Sequence, residues 1–62
     1  MELWVARDKN GDLCLYFSEP IQDDTLFDSR FGEGYFLLPI EEFPEVTWEN
    51  SPKQVELKIF DE

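Results

Sequence analysis

The chain has 62 residues, and 15 acidic side chains against 5 basic ones, with no histidine, leave a formal net charge of −10. A field of that sign repels nucleic-acid phosphate and anionic membrane surfaces and favours basic partners or cations, so direct nucleic-acid or membrane binding is not expected. With six Phe, two Trp and two Tyr, the composition also excludes the low-hydrophobicity signature of disorder, and one small domain of marginal stability is expected over residues 1–62.

The segments 2–7 and 13–18 flank Asp8-Lys9-Asn10-Gly11-Asp12 and predict a β-hairpin. A two-residue Asn10-Gly11 turn would set Val5 opposite Tyr16. A three-residue loop, Lys9 to Gly11, sets Val5 opposite Leu15 and Arg7 opposite Leu13, and is preferred. Asp8 suits the first position of a type I turn, and Gly11 supplies the left-handed residue of the bulge that follows. In that register Leu3, Val5, Leu13, Leu15 and Phe17 share one face, while Trp4, Ala6, Cys14 and Tyr16 share the other.

Residues 19–34 carry Pro20, two glycines and the apolar Leu26, Phe27 and Phe31. They form either a short helix capped by Asp23 or Asp24, with Phe27 and Phe31 at helical spacing, or an ordered loop pinned by those rings. Gly32 and Gly34 favour the loop. Tyr35 to Leu38 reads as a third strand ended by Pro39. Residues 40–43 then resemble one helical turn started by that proline and stopped before Pro44. Val46-Thr47-Trp48 reads as a further short strand before a turn at Asn50-Ser51-Pro52. Residues 53–60 alternate, Val55, Leu57 and Ile59 on one face and Phe60 on the other, as a half-buried strand does. The fold expected is mainly β: a small antiparallel sheet of about four strands with an N-terminal bulged hairpin, a long 19–34 loop and a short helical turn near 40–43.

Chemistry finds little support in this pattern. Cys14 has no histidine to activate it, to pair with it on zinc, or a second cysteine to bridge, so it reads as a structural thiol in a reducing cytoplasm. The opening Met-Glu-Leu-Trp lacks the basic and apolar regions of a signal peptide, and the apolar run from Tyr35 to Ile40 is far below the ~20 residues that cross a bilayer. Carboxylate pairs such as Asp23 with Asp24 are frequent by chance in so acidic a chain, and no phosphate cradle or nucleophile elbow occurs. No catalysis and no cofactor are expected. Asp8, Asn10, Asp12 and Glu19 fall at calcium-loop spacing, but Leu13 stands where that loop needs glycine, leaving a weak divalent-cation alternative.

Trp4, Tyr16 and Phe60 gather on the face opposite the aliphatic core, with Trp48 and Tyr35 as candidates to join them. They predict a protein-binding patch or homodimer surface, unless the 19–34 segment folds across them and makes a second small core. The function expected is a non-catalytic acidic protein-interaction module. A phage-type inhibitor that imitates nucleic-acid charge is the alternative, weakened by acids that are spread along the chain rather than set in rows.

The stretch Ala6-Arg7-Asp8-Lys9-Asn10-Gly11 with Leu13 and Leu15, and the stretch Phe43-Pro44-Glu45-Val46-Thr47-Trp48-Glu49-Asn50 with Val55-Glu56-Leu57, resemble a family of very short acidic proteins. That family belongs to gut anaerobic bacteria and their phages or mobile elements. The resemblance implies a bacterial or phage cytoplasmic origin and assigns no activity to any residue.

Overall fold

The computed structural model describes residues 2–56, and the chain folds as a mainly β globule with no helix among them. Strands β1 (Glu2–Arg7), β2 (Leu13–Tyr16), β5 (Tyr35–Leu38) and β6 (Lys53–Glu56) form one antiparallel sheet in the order β5-β2-β1-β6. Strands β3 (Ile21–Gln22) and β4 (Phe27–Asp28) form a separate small hairpin.

The β1–β2 register places Val5 opposite Leu15 and Arg7 opposite Leu13, as the bulged three-residue loop requires. Gly11 N–H donates to the Asp8 carbonyl at 2.9 Å and Asp8 N–H to the Asp12 carbonyl at 2.7 Å, which closes the turn. Gly11 holds φ at 102°, a conformation that a side chain with a Cβ resists. Asn10 Oδ1 accepts from Asp12 N–H at 3.0 Å and tightens the bend.

With that register set, the two faces of the sheet separate. One buries Val5, Leu13 and Val46, with Leu15, Leu38, Phe43 and Val55 packed around them. The other buries Ala6, Cys14, Tyr16 and Phe27, with Trp4 and Trp48 against them. Full burial of a Val- or Leu-sized side chain is worth roughly 1.5–3 kcal/mol, so each face is a working core. The ring-bearing face is therefore covered rather than open: Tyr16 is 1% exposed.

Three expectations are corrected in the connections. The 19–34 segment is an ordered loop, but it contains the β3–β4 hairpin and only one of the two rings expected to pin it. Phe27 is buried, whereas Phe31 is 75% exposed. The turn near 40–43 is not helical. Glu42 N–H reaches the Pro39 carbonyl at 3.0 Å, and a second reverse turn joins Val46 N–H to the Phe43 carbonyl at 2.9 Å. Pro44 removes a donor and disfavours helical geometry at the residue before it, and Phe43 sits at φ 49° instead. Val46-Thr47-Trp48 forms no strand. Thr47 N–H donates to Asn50 Oδ1 at 2.8 Å while Asn50 N–H donates to Thr47 Oγ1 at 3.2 Å, so side chains take the backbone partners that a ladder would have used. Leu57, Ile59 and Phe60 of the last expected strand lie outside the described residues.

Candidate functional site

Neighbours of opposite charge at the end of β1 tie down the two coverings. Arg7 faces the aliphatic core, and its guanidinium donates to five backbone carbonyls. Nε reaches Val46 at 2.6 Å, Nη1 reaches Gly11 at 3.0 Å and Ile40 at 3.2 Å, and Nη2 reaches Glu42 at 3.0 Å and Phe43 at 3.1 Å. A guanidinium has five N–H groups in a fixed fork, so its donor capacity is matched. The 40–46 excursion is thereby clamped onto the sheet.

Asp8 points to the other face and is 7% exposed. Its Oδ1 accepts from Phe27 N–H at 2.9 Å, while Tyr16 donates its hydroxyl to the Phe27 carbonyl at 3.0 Å. Both backbone groups of Phe27 are thus held by side chains of the sheet. Lys9 N–H adds a bond to the Thr25 carbonyl at 3.0 Å. Trp48 meets the Phe27 ring at 5.4 Å between centroids in an edge-on arrangement, closing the far side.

This second covering does not seal completely. A cleft of about 250 Å³ remains between the β3–β4 hairpin and the β2–β5 face. Asp8, Asp12, Asp23 and Asp28 supply its carboxylates, and Leu26, Tyr35 and Leu37 supply much of its apolar wall. Burial pushes the Asp8 carboxyl above its ordinary value, the Phe27 N–H opposes that, and the Asp12 charge adds to it. Burial likewise raises the Cys14 thiol, with the Asp8 charge acting the same way, and raises the Tyr16 hydroxyl. Cys14, buried and held as the thiol, is a poor nucleophile.

Beside the cleft runs β5, which among the described residues is an open edge of the sheet. Tyr35, Phe36 and Leu37 of β5 are all more than half exposed, Leu37 at 67%. Phe17 extends this surface, its ring 5.7 Å from that of Phe36, and Tyr16 underlies Tyr35 at the same separation. Hydrogen-bonded and non-bonded pairs alternate along an antiparallel ladder. Counting from the Asp8–Asp12 bond, Ala6/Cys14 and Trp4/Tyr16 exchange bonds within the hairpin, and Arg7 N–H faces away, as its bond to Ser51 Oγ at 2.9 Å confirms. Leu13 and Leu15 then serve Leu38 and Phe36, which turns the N–H and C=O groups of Tyr35 and Leu37 to the open side. Glu33 fixes the entry to this strand, accepting from Ser18 Oγ at 2.7 Å and from Phe31 N–H at 3.1 Å, and the Ser18 bond lowers its carboxyl from the ordinary value.

Of the residues expected to bind a partner, Tyr16 is inside the second core, Trp4 and Trp48 are half-buried against it, and Phe60 lies outside the described residues. Of the two expected alternatives, an exposed patch and a second small core made by the 19–34 segment, Trp4, Tyr16 and Trp48 take the second, with Phe27 of that segment packed among them. Missed were Phe36 and Leu37. Their signal was present, because Tyr35 to Leu38 is apolar at both parities and ends at a proline, which a strand on a sheet edge tolerates. The weak cation alternative of Asp8, Asn10, Asp12 and Glu19 is not assembled either. Asp8 turns to Phe27, Asn10 is engaged with Asp12, and among the described residues no three acidic or cysteine side chains gather as a metal ion needs. Among those residues no helix is long and apolar enough to cross a membrane. Comparison with protein-family models, curated proteins and solved structures finds no match.

Proposed function

We propose that the protein is a non-catalytic, acidic protein-interaction module whose docking element is the β5 edge rather than the tryptophan face. The observation that carries this reading is an edge strand with three consecutive large apolar side chains in solvent. Edge strands ordinarily carry charges, prolines or bulges that discourage pairing, and β5 carries none of these within Tyr35–Leu38. Self-association is opposed by the net charge of −10 on each copy, which makes a basic protein the complementary partner. A reducing, cytoplasmic setting belongs to the same proposal, supported by a single buried, unpaired thiol. The resemblance noted for Ala6 to Gly11 and Phe43 to Asn50 supports a bacterial or phage source.

Light scattering together with affinity capture tests the reading. Wild type is expected as a monomer that captures a protein partner, and Phe36→Asp is expected to lose that capture with its melting temperature kept. The same captured proteins from wild type and variant, or none from either, would count against it.

A further inference from the structure

We propose that the cleft between the β3–β4 hairpin and the β2–β5 face receives one lysine or arginine side chain of an extended partner segment laid along β5. This rests on the docking reading above and adds the chemistry of the residue recognised. At about 250 Å³ the cleft has room for one long side chain, and is smaller than the ~300–1,000 Å³ pockets that bury whole small molecules. Leu26, Tyr35 and Leu37 offer apolar surface for a methylene stem, and the four aspartates offer acceptors for its charged head. No Lys or Arg among the described residues lines the cleft.

Among the four aspartates, Asp8 points to the same ligand through its bonding. It is nine-tenths buried, yet only its Oδ1 accepts a hydrogen bond. Among the described residues every fully buried side-chain oxygen or nitrogen has a partner and Oδ2 has none, so Oδ2 keeps some exposed surface, and Asp8 is one of the residues that line the cleft. A desolvated carboxylate bound at one oxygen leaves acceptor capacity that an ammonium or guanidinium can fill. A bare metal ion is the poorer occupant, since the carboxylates are spread around the cleft instead of gathered at one point. The backbone delivers the side chain. A segment that pairs with the free N–H and C=O groups of Tyr35 and Leu37 alternates its side chains between the two faces, and one of them lies over the cleft.

Titration of the isotope-labelled full chain with acetyl-Thr-Val-Lys-Val-Thr-amide, and with the same peptide carrying norleucine for lysine, tests this by amide chemical shifts. The lysine peptide is expected to bind at least about tenfold more tightly, with shifts centred on Asp8, Phe27, Tyr35 and Leu37, and Asp8→Asn is expected to remove most of that advantage. Asparagine retains an acceptor for Phe27 N–H, so the variant keeps the fold. Equal affinity for the two peptides overturns the basic-residue receptor and leaves edge docking standing. An absence of shifts at β5 with either peptide overturns both. Shifts spread over Glu41, Glu42 and Glu45 and unchanged by Asp8→Asn mean diffuse charge attraction, and overturn the cleft.

Discussion

The coverings of the two sheet faces are fastened by adjacent residues, and they differ in how completely the fastening charge is used. Arg7 spends all of its donor capacity on carbonyls of the chain itself, and nothing about it is left for a ligand. Asp8 uses one oxygen, is raised by burial, and looks into an open acidic cleft. One face is closed structure, while the other keeps an open cleft next to a strand that is at the sheet edge among the described residues. The proposed recognition falls on the second face, where a buried carboxylate has one oxygen without a hydrogen-bond partner among the described residues.

Replacement of Arg7 is the strongest way to break the comparison. Arg7→Ala removes five hydrogen bonds and leaves the 40–46 excursion without its clamp. A loss of about 3 kcal/mol or more in urea unfolding is expected, a large share of what a domain of this size has. Arg7→Lys should recover less than half, because an ammonium cannot reproduce the planar fork. Asp8→Ala is expected to cost about 1–3 kcal/mol, by leaving the Phe27 N–H buried without a partner. If Asp8→Ala proves more damaging than Arg7→Ala, the assignment of a structural and a functional face is inverted.

Much of this arrangement was legible in the residues. Asp8, Asn10 and Gly11 specify a bulged turn, and that turn fixes the register, which sorts Leu3 to Phe17 between two faces. The first strands follow from local chemistry alone. The coverings do not, because their partners are distant in sequence: Arg7 and Val46 are 39 positions apart, Asp8 and Phe27 are 19 apart. Arg7, followed by Asp8 and Lys9 at the end of an apolar strand, carries no local sign of this role, and its fork for five carbonyls exists only once the 40–46 turns are folded over it. The tryptophans misled for a related reason. Period-two alternation shows that Trp4 and Tyr16 share a face but not whether a hairpin will cover it, and Phe27 supplied that cover. The cleft is further still from the sequence, since it is what remains when Asp12 beside the first turn and Asp23 and Asp28 of the β3–β4 hairpin come to line one space.

Tyr16→Phe sharpens the comparison on the second face. It keeps the ring in the core and removes the hydroxyl that holds the Phe27 carbonyl. The expected cost is about 1 kcal/mol, seen as a lower melting temperature with an unchanged sheet signature. The pH dependence isolates Asp8 next. Its carboxyl is raised in the folded state, mainly by burial, with Asp12 adding and the Phe27 N–H opposing; Cys14 and Tyr16, packed beside it, stay neutral through the acid range. A folded protein that binds this proton more readily than the unfolded chain has a stability contribution fully present below the unfolded value of ~3.9 and lost as pH rises through the raised one. Acidification from neutrality toward that window should therefore stabilise wild type. The discriminating measurement is Asp8→Asn, which should flatten the gain if burial of Asp8 is its source. Glu33 acts in the opposite sense, its lowered carboxyl adding stability that is lost only at lower pH.

The smallest effect belongs to the ring that sequence spacing pairs with Phe27. Phe31 is 75% exposed while Phe27 is 4% exposed, although the two are four residues apart in one loop. Helical geometry would have put both rings on one side and made them nearly equivalent. In the hairpin only Phe27 meets Trp48 and the sheet, and Phe31 contributes its backbone N–H to Glu33. Phe31→Ser keeps that N–H, so its unfolding midpoint should move by no more than about 0.5 kcal/mol in free energy, against about 3–5 kcal/mol for Phe27→Ala. Comparable losses for the two variants would mean that the loop is fastened through both rings, as a helix would fasten it, and that the acidic cleft beneath the hairpin is closed in solution.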